Sequence, residues 1–182
     1  FKNEWYKVAK GSVSKWEMDS ISYYESEHEL TNVNMEKYNI VNFFELDEEP
    51  IVVGYTHFKD KQIPKQKVFT IIGTVLDRDK TRHTVTVLTP HGVVTVKTYA
   101  GAFSHYDKQI SRKVGDKKEV VEKSWFNRGS IIVVMGIRRG DEFVPKKYAS
   151  TPGHQLYKID KLNENGTIVL RHDRVKGEES DE

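Results

Sequence analysis

The side chains able to do chemistry in this 182-residue chain do not gather into a reaction centre. Seven histidines stand at positions 28, 57, 83, 91, 105, 154 and 172, and no two have the short spacing of a helical zinc-binding pair. Cysteine is absent, which removes disulfides and thiolate-held zinc together and fits a reducing cytoplasm. Asp77-Arg78-Asp79 could offer two carboxylates to Mg²⁺, but a polar turn between strands accounts for the same three residues. No glycine-rich phosphate loop and no Gly-x-Ser-x-Gly elbow occur, and serine, histidine and aspartate are scattered. No catalytic residue and no metal ligand is therefore assigned.

Positive charge, by contrast, is concentrated. The net charge is only +2, yet residues 65–148 carry 17 Lys and Arg against 8 Asp and Glu, while residues 1–50 carry 5 against 11. Such a block raises the local concentration of phosphate whatever the total charge; a merely solvated basic surface is the plainer alternative. Single-stranded nucleic acid needs cations to follow its phosphates and a surface against which its bases can lie. Arg78, Lys80 and Arg82 share one loop, and Arg138 and Arg139 open another, with Lys146, Lys147 and Tyr148 beyond it. Between these loops Thr86, Thr95 and Lys97 alternate with valines, which puts a small-residue face with one lysine opposite an apolar one. These eleven residues are the expected binding set.

The elements that must position them follow from periodicity. Residues 67–77 and 83–99 are rich in β-branched side chains, and Thr89-Pro90-His91-Gly92 splits the second run into a hairpin. Phe69, Ile71 and Val75, with Val85, Val87, Val94 and Val96, are the expected core. Tyr99, Phe103, Tyr106 and Ile110 recur at helical steps, so residues 101–110 are read as a short helix with these side chains on its buried face. Residues 130–148 return to strand, with a turn at Arg139-Gly140-Asp141. Five strands with a helix after the third is the order of an OB-fold, a mainly β barrel whose second and third strands and flanking loops form the usual ligand surface.

The flanks are less regular. Ser14 and Glu17 have capping-box spacing ahead of a helical segment to about Glu27, with Trp16, Ile21 and Tyr24 on one face. Residues 38–53 read as an irregular or short-strand connector. Residues 111–128 form a long polar excursion in which Trp125 and Phe126 could be either core or contact residues, and in which Lys117 and Lys118 are solvated. Asn165-Gly166 marks a C-terminal hairpin, followed by an acidic tail. The expected divisions are thus an acidic helical segment and connector over 1–64, the barrel over 65–148, and the hairpin and tail over 149–182. No long apolar run suggests a membrane, and a chain that starts at Phe1 in mid-pattern reads as a piece of something longer.

With these elements in order, a family likeness emerges. "WEMDSISYYESEHEL" resembles the segment E-x-x-x-L-G-x-Y-x-S-G-H-P-L that lies ahead of the OB domain in bacterial C-family replicative DNA polymerases, the polymerase III alpha subunits. Glu17, Ile21, Tyr24, Ser26, His28 and Leu30 match, while Ser22, Glu27 and Glu29 replace the pattern's Gly, Gly and Pro. "FTIIGTVLDRDK", "GVVTVKTYAGAFSHY" and "RGSIIVVMGIRRGDEF" resemble the family's first strand and loop, third strand and helix, and closing hairpin. The departures suggest a divergent, phage-type member. The resemblance implies a non-catalytic accessory element of a polymerase whose Mg²⁺-binding carboxylates lie upstream. Its implied partners are single-stranded DNA template, the rest of the polymerase chain and other replisome proteins. The competing expectation is a module that docks replisome proteins through the Trp125-Phe126 excursion and the acidic ends of the chain.

Overall fold

The computed structural model of the protein describes residues 29–150 and 153–175. The helix expected over 14–27 and the acidic tail lie outside them. Among the described residues the order is β1 (Val52–Phe58), β2 (Lys61–Gln66), β3 (Phe69–Asp79), β4 (Thr84–Thr89), β5 (Gly92–Lys97), helix α1 (Ala100–Asp107), β6 (Ile110–Val114), β7 (Lys117–Glu122), β8 (Ile131–Arg139), β9 (Glu142–Pro145), β10 (Leu156–Leu162) and β11 (Ile168–Arg171). No described helix is long and apolar enough to cross a membrane.

The alternating valines roll up the barrel. Val85 and Val87 of β4 and Val94 and Val96 of β5 are buried with Ile71, Val75, Ile132, Val134 and Phe143, as their parity predicts. The barrel closes in the order β3-β4-β5-β9-β8 and back to β3, all antiparallel except the β5–β9 pair. This closed five-stranded barrel, with one helix after its third strand, is the OB-like architecture expected from the sequence. The C-terminal hairpin is also present: β10 pairs with β11 and lies along the first half of β8. A second apolar cluster of Leu30, Val33, Ile72, Val133, Ile159 and Ile168 covers the outer side of β3 and β8. Burial on both faces explains why "TIIGTV" and "IIVVMGI" read as continuous apolar runs instead of alternating ones.

Three expectations are corrected. Residues 52–66, assigned to the connector and the barrel's leading edge, form the β1–β2 hairpin, whose turn residues Lys59 and Asp60 both have positive φ. A two-residue turn of that handedness normally announces itself with Asn or Gly, and neither is present here. Tyr99 is not on the buried helix face but is 72% exposed, because it caps α1 in an extended conformation. The polar excursion contains the β6–β7 hairpin, and its Trp125 and Phe126 are fully buried core residues.

Trp125 organises the base of the barrel. Its indole stacks on Tyr106 at 5.1 Å between ring centroids and donates from Nε1 to Glu122 at 2.9 Å. Arg174, beyond β11, donates to the other Glu122 oxygen at 2.9 Å and to the carbonyls of His105, Tyr106, Lys108 and Lys123. Arg171 completes the cluster, reaching both Glu122 and Asp160. One buried carboxylate thus ties the C-terminal segment to β7 and to the end of α1. Burial alone would raise its pKa, but donors from Trp125, Arg174, Val175 and Arg171 outweigh that and hold it at about 2.

Because this value lies below the ordinary 4.5, the stabilisation is complete above that pH and is lost as pH falls towards about 2. We expect Glu122 to account for roughly 1–3 kcal/mol of acid-induced destabilisation. Urea unfolding across that range should show a smaller acid loss for Glu122→Gln, which should also be less stable at neutral pH. Equal acid losses in the two proteins would refute the assignment.

Candidate nucleic-acid interface

The outer face of β4 and β5 is set by register. Thr84 lies opposite Lys97, Thr86 opposite Thr95, and Leu88 opposite Val93. All point away from the valine core, so the surface is low and mostly uncharged, with Lys97 at one end. Tyr99 continues the outward parity of Thr95 and Lys97 past the end of β5, and its ring is exposed. Helical spacing concealed this residue; strand parity carried two positions further would have found it. The flanking strands bring acids alongside: Asp77 and Asp79 of β3 pair with Thr86 and Thr84, and Glu142 of β9 pairs with Thr95.

The β3–β4 loop holds two exposed members of the expected set. The side chains of Lys80 and Arg82 are 70% and 79% exposed. Lys80 lies 3.6 Å from Asp107, and Arg82 lies 4.0 Å from Asp79. Asp79 also accepts the amides of Thr81 and Arg82 at 2.9 and 3.0 Å, and the Arg82 amide is the largest influence lowering its pKa. The Asp-Arg-Asp stretch is therefore the paired end of β3, and the Asp79 carboxylate shapes the loop that follows. Lys97 donates to the Arg82 carbonyl and pins the loop to the end of β5. Among the described residues no group of three or more histidine, aspartate or glutamate side chains could hold a metal ion.

Arg78 and Arg138 sit differently. Arg78 bonds Asp107 at 3.0 Å, Ser124 at 3.1 Å and Asn127 at 2.7 Å, which clamps β3, the end of α1 and the segment before β8 together. It nevertheless lines an open notch with Lys80, Arg128 and Asp77. Arg138 is only 11% exposed. It donates to the carbonyls of Phe43 and Leu46 at 3.2 and 2.8 Å and lies 4.5 Å from the centre of the Phe43 ring. That fixes the 3₁₀ turn at Phe43–Glu45 against the barrel. Arg139 is exposed at the β8–β9 turn, where Gly140 adopts φ 57° and its amide donates to Glu48.

The remaining expected residues cluster at the exit of β9. Lys146 bonds Gln66 at 3.0 Å, and its ammonium lies 5.6 Å from the Tyr148 ring centre. The Tyr148 hydroxyl accepts the Gln66 amide at 2.8 Å. Lys147 is exposed. The fold therefore gathers Lys80, Arg82 and Lys97 at one end of the threonine face, with Tyr99, favoured as core from its spacing, exposed just past β5. Arg139 stands at the β8–β9 turn, and Lys146, Lys147 and Tyr148 form a separate group.

Over 175 residues the chain is 49% identical to a protein of Bacillus subtilis (strain 168) named "Probable DNA polymerase YorL". It is equally similar to a "DNA-directed DNA polymerase" of Bacillus phage SPbeta. Each alignment takes in 95% of this chain, which spans only 13% of the length of these curated relatives. No protein-family model matches the chain. No solved structure matches it.

The two adjacent arginines of the β8–β9 turn should separate on substitution. Arg138→Ala takes the guanidinium donor from the Leu46 carbonyl and leaves the Phe43 carbonyl only the Leu46 amide, and is expected to cost about 1–3 kcal/mol of stability. Arg139→Ala should change stability by less than about 0.5 kcal/mol. Chemical denaturation of both variants checks this, and similar midpoints would show that Arg138 does not hold the connector.

Proposed function

We propose that this chain is a non-catalytic segment of a DNA-directed DNA polymerase of the polymerase III alpha-subunit type, in a divergent phage-like form, and that its barrel binds single-stranded DNA template. Nucleotide transfer, with its Mg²⁺ ions, belongs on this reading to another part of the parent protein. The supporting observation is the outer face of β4 and β5, where Thr84, Thr86 and Thr95 lie beside Lys97, with Lys80 and Arg82 on the adjoining loop and Tyr99 exposed just past β5. Threonine methyls and hydroxyls let a strand approach closely, the exposed tyrosine offers a stacking surface, and the loop cations attract phosphate. Names of relatives support the polymerase context, and the barrel architecture supports the choice of face. The docking alternative loses Trp125 and Phe126 as anchors, because both are in the core, and is left with the acidic ends of the chain.

Fluorescence anisotropy with labelled oligodeoxythymidylate at several salt concentrations tests the reading. Binding should weaken with salt, with a log–log slope of about −0.7 for each phosphate neutralised. The double variant Lys80→Glu/Arg82→Glu should bind at least about tenfold more weakly with an unchanged unfolding midpoint, since each lost contact to a charged group is worth about 1.5–3 kcal/mol. Absence of binding at low salt, or binding indifferent to salt, would overturn it.

A further inference from the structure

We infer that the β1–β2 hairpin is a second nucleic-acid-gripping element, an arm that carries a bound strand beyond the barrel. This rests on the reading of the barrel as a single-strand binder and adds an element that neither the family likeness nor the sequence suggested. The hairpin's first strand is exposed along almost its whole length, with Tyr55 at 61%, Phe58 at 60% and Val53 at 55%. Two strands alone are barely stable in water, and so much exposed aromatic surface marks a contact region.

The character of the arm selects the partner. Register places Phe58 with Lys61, Thr56 with Ile63 and Gly54 with Lys65 on one face, and Tyr55 with Pro64 and His57 with Gln62 on the other. Lys59, Lys61 and Lys65 stand against a single acid, Asp60, and the Lys59 ammonium lies 5.5 Å from the Phe58 ring centre. The Phe58 ring with the ammonium groups of Lys59, Lys61 and Lys65 suits a stacked base and its neighbouring phosphates, and Tyr55 offers a second ring on the opposite face. Lysine is depleted at the centres of protein–protein interfaces, which disfavours a protein partner on this ribbon. The β6–β7 hairpin makes the contrast: its exposed apolar residues are Val114, Val120 and Val121, with no aromatic ring.

The arm is also continuous with the expected site. At its root Gln66 bonds both Lys146 and Tyr148, Lys65 bonds Ser150, and the Lys65 ammonium lies 5.8 Å from the Tyr148 ring centre. Lys146, Tyr148 and Ser150, distant in sequence from the arm, therefore form its junction with the barrel.

Anisotropy titrations of the whole chain against labelled oligodeoxythymidylates of increasing length distinguish the arm from the barrel. Tyr55→Ala/Phe58→Ala should weaken binding of long oligonucleotides about 10- to 100-fold and leave the shortest ones unaffected. Lys59→Ala/Lys61→Ala should flatten the salt slope by about 1.4. Both changes lie on exposed positions, so thermal unfolding should be unaltered, and either result supports the arm. Wild-type binding that neither variant alters would overturn the arm and leave the barrel reading intact. Loss of affinity in the arm variants but not in Lys80→Glu/Arg82→Glu would keep the arm and overturn the barrel reading. No binding by the wild-type chain would overturn both.

Discussion

Strand β8 is shared by three neighbours, and the rest of the architecture depends on how it divides itself between them. Along one edge Phe69–Thr74 of β3 pair with Gly136–Ile131; along the other, β10 occupies Ile132–Val134 and β9 occupies Gly136–Arg139. The change of partner falls at Gly136, where a Cβ would overlap the carbonyl of Val144. A close backbone approach of this kind is open only to glycine. It bends β9 across to β5, where two parallel pairs, Thr95 with Glu142 and Val96 with Phe143, complete the barrel. The same strand faces the valine core with Ile132 and Val134 and the outer cluster with Val133. Closure and the two-sided core are thus one constraint.

Arginine and lysine divide the work of the basic block. Arg78, Arg138, Arg171 and Arg174 direct their guanidinium groups at several partners each, joining elements far apart in sequence. A planar fork with five donors can satisfy carboxylates and carbonyls together, and its weaker hydration makes partial burial tolerable. The lysines lie mostly outside on loops and hairpins, where an ammonium keeps its water, with Lys97 and Lys146 as exceptions that donate to the Arg82 carbonyl and to Gln66. Much of the +9 counted over residues 65–148 is therefore not a single ligand surface, and part of it is structural.

How much of this was legible depends on the physics of each element. Barrel strands β4 and β5 declare themselves because one face is buried and the other is not, so parity alone assigns every valine and threonine. The order of strands and helix then leads to the topology. Tyr99 was misplaced because its spacing to Phe103 fits a helix, although its backbone belongs to the preceding extended segment. Arg138 and Arg139 are alike by composition, and only the connector packed beneath them distinguishes a donor to carbonyls from an exposed cation. The β1–β2 hairpin escaped notice because its exposed apolar residues resemble core and its turn lacks the usual residues. In each miss the deciding contact is long-range or the local signal is atypical.

The register across the barrel face also limits how a strand can lie on it. In the central row, Asp77 stands beside Thr86 and Glu142 beside Thr95, so two uncharged side chains are bracketed by carboxylates. Phosphates laid along that row would meet negative charge on both sides, whereas bases, being neutral, would not. Under the proposed function the arrangement therefore favours bases against the threonines, with phosphates drawn to Lys80 and Arg82 at one end. Acids at the flanks then act as a guide that disfavours the reversed orientation. A face with cations throughout would attract a strand more strongly but would not select which side of it turns inward.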